Sequence, residues 1–436
     1  MAGEVLPRGW KQTTLGAVAD FVNGDRGENY PTQSDRVEAG VPFINTGHIE
    51  PNGRLTCAGM DYITRNSFER LRSGKVKPGD IVYCLRGSTI GKTARNHFVE
   101  GVIASSLVIV RAKPHSCQEY LYFYLTSPLG KQLVAQHNNG SAQPNLSVRA
   151  LTSYPVPLPP VDEQRAIAHI LGTLDDKIEL NRRMNETLEA MVRALFKSWF
   201  VDFEPVRAKA EGRNTGLPEH LATLFPDSFE DSELGETPKG WEVRSLDGIA
   251  GFLNGLALQK YPPKDGRSVP VIKIAQLRAG DTAGADAANA DLDSDYLVED
   301  GDVLFSWSGS LECVLWTGGR GALNQHLFKV TSGQFPKWFY YLWIHQHLAD
   351  FRHIAAGKAT TMGHIQRHHL SDAKVVVPNR SILKTATQAL SPLIERIVTT
   401  RIESRTLAAL RDKLLPKLIS GEMRLRSTDK LVAEIV

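Results

Sequence analysis

The chain has 436 residues, a formal net charge of +3, and 42% hydrophobic, 8% aromatic and 23% charged residues. That length predicts two to three domains, each able to bury its own core, and the composition is ordinary for a globular protein. Its four scattered cysteines (Cys57, Cys84, Cys117, Cys313) exclude a disulfide framework and a zinc site of standard spacing.

No apolar run is long enough to cross a bilayer, and the opening MAGEVLPRGWKQ lacks a signal-peptide core, so the expected location is the cytoplasm, with no membrane partner. The charge is unevenly spread. Residues 204–237 hold eight acids and three bases, a net −5, which leaves +8 for the rest of the chain. A basic body with an acidic connector permits a polyanionic partner without demanding one.

The first block opens with PRGWKQTTLGAVADFVNG, Pro7 to Gly24, and a second opens with PKGWEVRSLDGIAGFLNG, Pro238 to Gly255. Eight of the eighteen aligned positions are identical, among them Trp10/Trp241, Leu15/Leu246, Phe21/Phe252 and the Asn-Gly endings. An internal repeat fixes the architecture before any other feature is weighed. VPFIN at 41–45 answers VPVIK at 269–273, PGDIVYCLRGS at 78–88 answers DGDVLFSWSGS at 300–310, and GVIASSLVIV at 101–110 answers GALNQHLFKV at 321–330. Each pair reads as a strand, with turns at the Gly-Asp and Gly-Ser positions.

A helix rich in aromatics follows in each block, at 119–136 and 337–354, and its rings are expected to pack on the sheet. Polar loops come next, NNGSAQPNLS at 138–147 and AGKATTMGHIQRHHLS at 356–371. The proline-bounded segments YPVPLPP (154–160) and AKVVVP (373–378) then read as an edge strand or rigid lead-in.

Residues 161–199 read as one long amphipathic helix. Its apolar positions Ile167, Leu171, Leu174 and Ile178, then Leu188, Val192, Leu195 and Trp199, step by four and three, the seam of a coiled coil. Asn181 and Asn185 interrupt the seam. The register returns at Ala386, Leu390, Leu393, Ile397, Thr400, Ser404, Leu407, Arg411, Leu414 and Leu418, each 219 residues after its counterpart. Each copy thus carries its helix partner in the same chain, and in an antiparallel pair the two asparagines are expected to meet Thr400 and Ser404. Between helix and second block, the apolar patches Leu217 to Leu224 and Phe225 suggest that the acidic connector docks.

Several chemical readings fail on the residues. Gly87 to Thr93 resembles a phosphate-binding loop but has three residues between its glycines instead of four, and no helix is expected after it. His364, His368 and His369, with His345 and His347 nearby, lack the acid or cysteine that would complete a metal set. No cofactor fingerprint, nucleophile elbow or paired nuclease carboxylates are found, so no catalytic residue and no metal are assigned. The polar loops carry the side chains that reach phosphates and base edges. The candidates are Arg86, Ser88, Thr89, Lys92, Ser141, Gln143, Asn145 and Ser147 in the first block. In the second they are Ser308, Ser310, Asn324, Gln325, His326, Lys358, Thr360, Thr361, Gln366, Arg367, His368 and His369. Loops that differ between copies on a shared framework suit two readers of two different sequences.

Together the PxGW openings, the PGD/DGD strands, GALNQHLFKV, PLPPVDEQRAIAHIL, LFKSWFVDFEP and LLPKLISGEMRL resemble the specificity (S) subunits of type I restriction–modification systems. Copy two departs from the pattern at its helix start, where VVVPNRSILKTATQAL stands. The resemblance implies an α+β protein with two pseudo-repeated, strand-rich target-recognition domains joined by two long antiparallel coiled-coil helices. The expected parts are recognition domain 1 (1–160), long helix 1 (161–203), the acidic connector (204–237), recognition domain 2 (238–380), long helix 2 (381–425) and a tail (426–436). Each domain would read one half of a bipartite site in double-stranded DNA. The helices would set spacing and dock two methyltransferase (M) subunits, with restriction (R) subunits joining the full complex. S-adenosylmethionine, ATP and magnesium would belong to those partners, leaving this chain non-catalytic and without a cofactor. The alternative is an adaptor in a modification-only complex with no restriction partner. A helix of ~40 residues is ~60 Å long at about 1.5 Å per residue, and one DNA turn is ~34–36 Å, so a ruler of that size fits.

Overall fold

The computed structural model describes residues 6–137, 144–357 and 363–425. The chain divides into two compact units, Met1–Asp176 with Leu407–Val436, and Lys177–Thr406. Each unit therefore holds one strand-rich block together with a stretch of both long helices, a division that cuts across the helices instead of setting them apart.

In the first unit the order is β1 (Lys11–Thr14), α1 (Leu15–Val18), β2 (Ala19–Asn23), β3 (Arg36–Val37), β4 (Val41–Ile44), β5 (Asp61–Ile63), α2 (Arg65–Arg70), β6 (Ile81–Cys84), β7 (Thr93–Arg95), β8 (Val102–Ile103) and β9 (Leu107–Ala112). Then come α3 (Gln118–Thr126), α4 (Pro128–His137), α5 (Val148–Thr152), β10 (Pro155–Leu158) and the long α6 (Val161–Phe196), which ends in a π-helical turn at Lys197–Val201. The main sheet has the order β2-β9-β6-β7 and is antiparallel throughout. A second sheet, β3-β5-β4-β8, contains one parallel pair, β4 with β8. β1 and β10 form a separate two-stranded ribbon in which Thr14 faces Pro155 and Gln12 faces Pro157. Prolines lack the N–H that a central strand must give, so a ribbon suits this segment.

The main sheet is buried on both faces. Ile81, Tyr83, Val108 and Val110 point to the aromatic helix and the long helices, while Val82, Cys84, Leu107 and Ile109 point to the second sheet. The alternation is the period of two that a strand imposes. Tyr120, Leu121, Phe123 and Tyr124 pack between the sheet and Ile167 and Leu171 of α6.

Two expectations need correction. Residues 101–110 are two strands, because the turn at Ala104 (Leu107 N–H donates to Ala104 O, 3.0 Å) carries the chain from one sheet to the other. Residues 119–136 are two helices, because Pro128 has no N–H to continue the first and Ser127 caps it onto Tyr124 O.

The second unit repeats this plan. After the connector come β13 (Glu242–Ser245), α9 (Leu246–Ile249), β14 (Gly251–Asn254), β15 (Ser268–Ile272), α10 (Ile274–Ala279), β16 (Ala287–Asn289), β17 (Leu297–Val298) and β18 (Val303–Ser306). They are followed by β19 (Cys313–Leu315), β20 (Gly321–Leu323), β21 (Leu327–Thr331), α11 (Lys337–Gly357), α12 (Arg367–Asp372), β22 (Lys374–Val377) and the long α13 (Arg380–Ser420). The sheets β14-β21-β18-β19 and β16-β15-β20-β17, and the ribbon β13-β22, match the first unit, including the one parallel pair, here β15 with β20. GALNQHLFKV is likewise split into two strands.

The connector itself folds as α7 (Glu204–Ala210), α8 (Glu219–Ala222) and a hairpin of β11 (Phe229–Ser232) with β12 (Gly235–Pro238). Its Val206 and Phe225, with Phe203 just before it, are buried beside Trp199, Phe200 and Trp241. The Phe203 and Trp241 rings meet edge-on at 5.8 Å. The acidic segment is thus the outer layer of the second core.

The two long helices run in opposite directions within each unit. In the first, Arg411 of α13 bonds Asp175 of α6 at 2.8 Å. In the second, Asn181 Nδ2 donates to Thr400 O (3.4 Å), Glu403 Oε2 (2.8 Å) and Ser404 Oγ (3.3 Å), and Thr400 Oγ1 donates to Asn185 Oδ1 (2.5 Å). The seam is deepest near the strand-rich blocks, at Ile167, Leu171, Val192, Ala386, Leu390 and Ile397, where Ile382, Ile394 and Leu415 widen it. Leu174, Ile178, Leu188, Leu393 and Leu407 are half-buried. Arg405 forks onto Asp300, holding its carboxyl below the usual carboxylate range.

Two predictions follow from this packing. A Cβ on Gly24 would sit 2.5 Å from Ala104 O. A backbone carbonyl cannot rotate away, so Gly24→Ala should destabilise the first unit by about 1–3 kcal/mol in denaturant unfolding. His345 is half-buried on α11 with its Nε2 withdrawn from water, and that burial, reinforced by Arg193, holds its pKa down at about 4 against 6.5. The unfolded chain therefore binds the extra proton between those values. Stability should fall as pH drops from 6.5 to 4, by roughly 3 kcal/mol if this group acted alone, and His345→Gln should remove that part of the slope.

Candidate nucleic-acid interface

At one end of the main sheet in the first unit, five chain segments converge: the exit of β2, the α2–β6 loop, the β6–β7 loop, the β8–β9 turn and the segment before α5. Backbone bonds and side-chain-to-backbone bonds join them. Gly87 N–H donates to Pro144 O (3.0 Å) and Leu146 N–H to Leu85 O (2.9 Å), placing Arg86 beside Asn145. Arg26 Nη2 donates to Ser105 O at 3.2 Å, and Ser73 Oγ to Asn23 O at 2.7 Å. Asp25 accepts the backbone N–H groups of Arg72 and Arg26, each at 2.8 Å, and the Arg72 bond holds its carboxyl below the usual range. Its charge is thereby spent on shaping the loop. The result is an open cleft of about 500 Å³ lined by Asn23, Arg26, Ser73, Arg86, Asn145 and Ser147, among others. Asn23, Arg26, Arg86 and Asn145 are exposed.

The second unit has the same frame. Gly309 N–H donates to Gly363 O (2.8 Å), Ile365 N–H donates to Trp307 O (3.0 Å), and Ser308 lies beside His364. Its side chains differ. Trp307 Nε1 is held by Asn254 Oδ1 (2.9 Å) and Gln325 O (3.1 Å), and its ring lies 5.7 Å from His326. Arg367 donates to Phe252 O at 3.3 Å and covers the Phe328 ring at 5.7 Å. Where the first unit places Leu85, Arg86, Ser105, Ser106 and Asn145, the second places Trp307, Ser308, Gln325, His326 and His364.

The structure sorts the residues singled out from sequence. Arg86, Asn145, Gln325, His326 and Arg367 lie within these two convergences. Ser88 is exposed on the β6–β7 loop, and Thr89 turns back towards Cys84 Sγ (3.6 Å). Lys92 lies elsewhere, at a separate cavity of about 420 Å³ with Thr93, Tyr122, Lys131, Asp175 and Arg411. The loop from Gly87 to Gly91 leads directly into β7, so no helix follows it to receive a phosphate. Asn324 and Ser308 are withdrawn from the surface at 3% exposure each. Asn324 Oδ1 accepts the His326 N–H (3.2 Å), and Ser308 Oγ is 3.1 Å from His326 Nδ1. Ser147 caps α5 by accepting Ala150 N–H (3.0 Å), and His369 caps α12 by accepting Gln366 N–H (2.9 Å). Ser310 and His368 are exposed, the latter with its ring 4.0 Å from His369. His347 Nε2 lies 2.9 Å from Lys374 O. Ser141, Gln143, Lys358, Thr360 and Thr361 lie outside the described residues. Among the described residues no group of three His, Cys, Asp or Glu side chains could hold a metal ion, and no helix is long and apolar enough to cross a membrane.

Asn23, Arg26, Ser73, Asn254 and Trp307 were not picked out from sequence. The signal was present in the repeated Asn-Gly endings, which read as framework. A side chain at either glycine would collide with the β8–β9 turn or its counterpart, so the asparagine before it is held at the cleft.

The type I restriction modification DNA specificity domain model matches residues 7–190 and again 238–407. The HindI specificity subunit of Haemophilus influenzae is 26% identical over 95% of this chain and 99% of its own length. The MjaIX specificity subunit of Methanocaldococcus jannaschii is 27% identical over 70% and 69%. Among solved structures, the S subunit of a type I restriction–modification system from M. genitalium aligns over 96% of this chain and 98% of its own, with a TM-score of 0.55 at 14% identity. With both of its copies matched and its fold shared, this chain belongs to the specificity subunits of type I restriction–modification systems.

Proposed function

We propose that this chain reads a bipartite target in double-stranded DNA, one half-site per unit, on behalf of methyltransferase and restriction subunits that carry out the chemistry. The observation that carries this reading is the duplicated frame with unlike contents. Backbone bonds between the same two segments recur in both units, while the side chains they present differ at nearly every position. A frame kept and a surface changed suits two readers with two different preferences.

The chemistry of the two surfaces supports the following roles. Arg26 and Arg86 offer guanidinium groups to phosphates or to guanine edges, and Asn23 and Asn145 offer amides that pair with adenine. In the second unit Gln325 and His326 take the polar role, and Trp307 adds an apolar plate able to contact a thymine methyl. The histidines and Arg367 there supply phosphate donors. Methyl transfer, with S-adenosylmethionine, and ATP-dependent cleavage, with magnesium, belong to the partner subunits.

The outer faces of the long helices support docking of two M subunits. Met191 of α6 and Leu410 of α13 are 48% and 45% exposed, and they are counterparts in the 219-residue repeat. Leu180, 58% exposed, extends the patch on α6. An apolar residue left in water at the same place in both copies suits one partner bound twice.

Three outcomes test this reading. Arg86→Ala with Asn145→Ala should relax the requirement at one half-site in methylation-site sequencing and leave the other unchanged; a change in both halves contradicts separate readers. Arg26→Ala should weaken DNA binding across sequences and reduce the slope of log affinity against log salt by about one. Met191→Glu should lower the number of M subunits captured per chain from two to one, and Met191→Glu with Leu410→Glu should abolish capture.

A further inference from the structure

Along α6 between Leu171 and Val192, the buried side chains are Glu179, Asn181 and Asn185, and along α13 between Ile397 and Leu415 the only one is Thr400. The middle of the helix pair is thus closed by polar groups, while its leucines and isoleucines stay half-exposed. Glu179 is satisfied within its own helix by Arg182 and Arg183, at 2.9 and 2.8 Å. The other three cross between helices. Asn181 Nδ2 faces two groups that can only accept, Thr400 O and the Glu403 carboxylate, so its amide orientation is settled by chemistry. Its Oδ1 is buried and has no partner.

We infer that Asn181, Asn185, Thr400 and Ser404 form a register lock that admits one alignment of α6 on α13. On the reading that the helices set the distance between half-sites, the lock restricts the DNA spacer to one length. An apolar seam tolerates a slide, because a heptad later leucine meets leucine again. The polar layer does not. A slide of seven residues along α13 one way brings Leu393 and Ile397 opposite the asparagines, stranding both buried amides; the other way brings Leu407 and Arg411, neither side chain of which can accept from the asparagine Nδ2 groups. Charged contacts flank the layer and point the same way: Arg401 reaches Glu189, and Lys177 lies 3.5 Å from Glu403. An orphaned acceptor in the middle of the pair is what a device for specificity looks like when it is retained at the expense of stability.

The test uses the full chain with Asn181→Leu, Asn185→Leu, Thr400→Val and Ser404→Ala together, in a Cys57→Ser background because Cys57 is exposed. Spin labels at Thr187→Cys and Thr399→Cys, both exposed, report the alignment. With the native layer, one narrow distance is expected. In the apolar variant, populations shifted by about 5 Å (one helical turn) or 10 Å (a heptad) are expected, with an equal or higher melting temperature. An unchanged narrow distance in the folded variant overturns the lock. Methylated-site sequencing with the partner subunits should then show the same two half-sites at more than one spacer length. A single unchanged spacer despite a widened distance overturns the lock's role in spacing. If the native chain directs methylation to no bipartite site, the proposed function fails, while the distance measurement still decides the register.

Discussion

A main sheet buried on both of its faces constrains everything else in this chain. Its strands alternate between two cores, so a change of residue on either face disturbs packing, and the chain is free to vary only where the strands end. The two units keep their cores and diverge at those ends. The Asn-Gly turn shows how tight the constraint is. A glycine is required because a neighbouring backbone carbonyl occupies the space of a side chain, and the residue before it is carried to the cleft by that approach.

The long helices serve both units by different means. Near the strand-rich blocks they are anchored by apolar burial, with Ile167 and Leu171 in one core and Val192, Ala386 and Leu390 in the other. Along residues 177–189 and 400–406 hydrogen bonds and ion pairs take over, some between the helices and some from α13 to Leu315 O and Asp300. Burial is non-directional and fixes how closely the helices lie, whereas the amide and hydroxyl bonds fix which residue meets which. The register lock inferred above depends on the second kind.

Much of this was legible in the sequence because it is written in periodicity. The repeat, the seam, and the interruption at Asn181 and Asn185 each follow from spacing alone, while the aromatic helix of the first block is broken by Pro128. Other features depend on long-range geometry. That GVIASSLVIV changes sheets midway, or that Asn324 and Ser308 are buried while Arg86 is exposed, is decided by which segment lies across from them. Polar residue type does not separate side chains that hold a turn, such as Ser147 and His369, from those left facing solvent. Lys92 shows the same limit from the other side, since one loop can face two different cavities. The connector was legible only in part: its apolar residues signalled docking, but not that Phe203 and Phe225 complete an aromatic core.

The central claim is that one chain reads two separate half-sites. Base-resolution mapping of methylated DNA in a host with its methyltransferase partner, with and without this chain, tests it most directly. The account predicts a single motif in two parts, separated by a fixed run of unspecified bases and present only with the chain. A contiguous motif, or methylation that is the same without the chain, would contradict it.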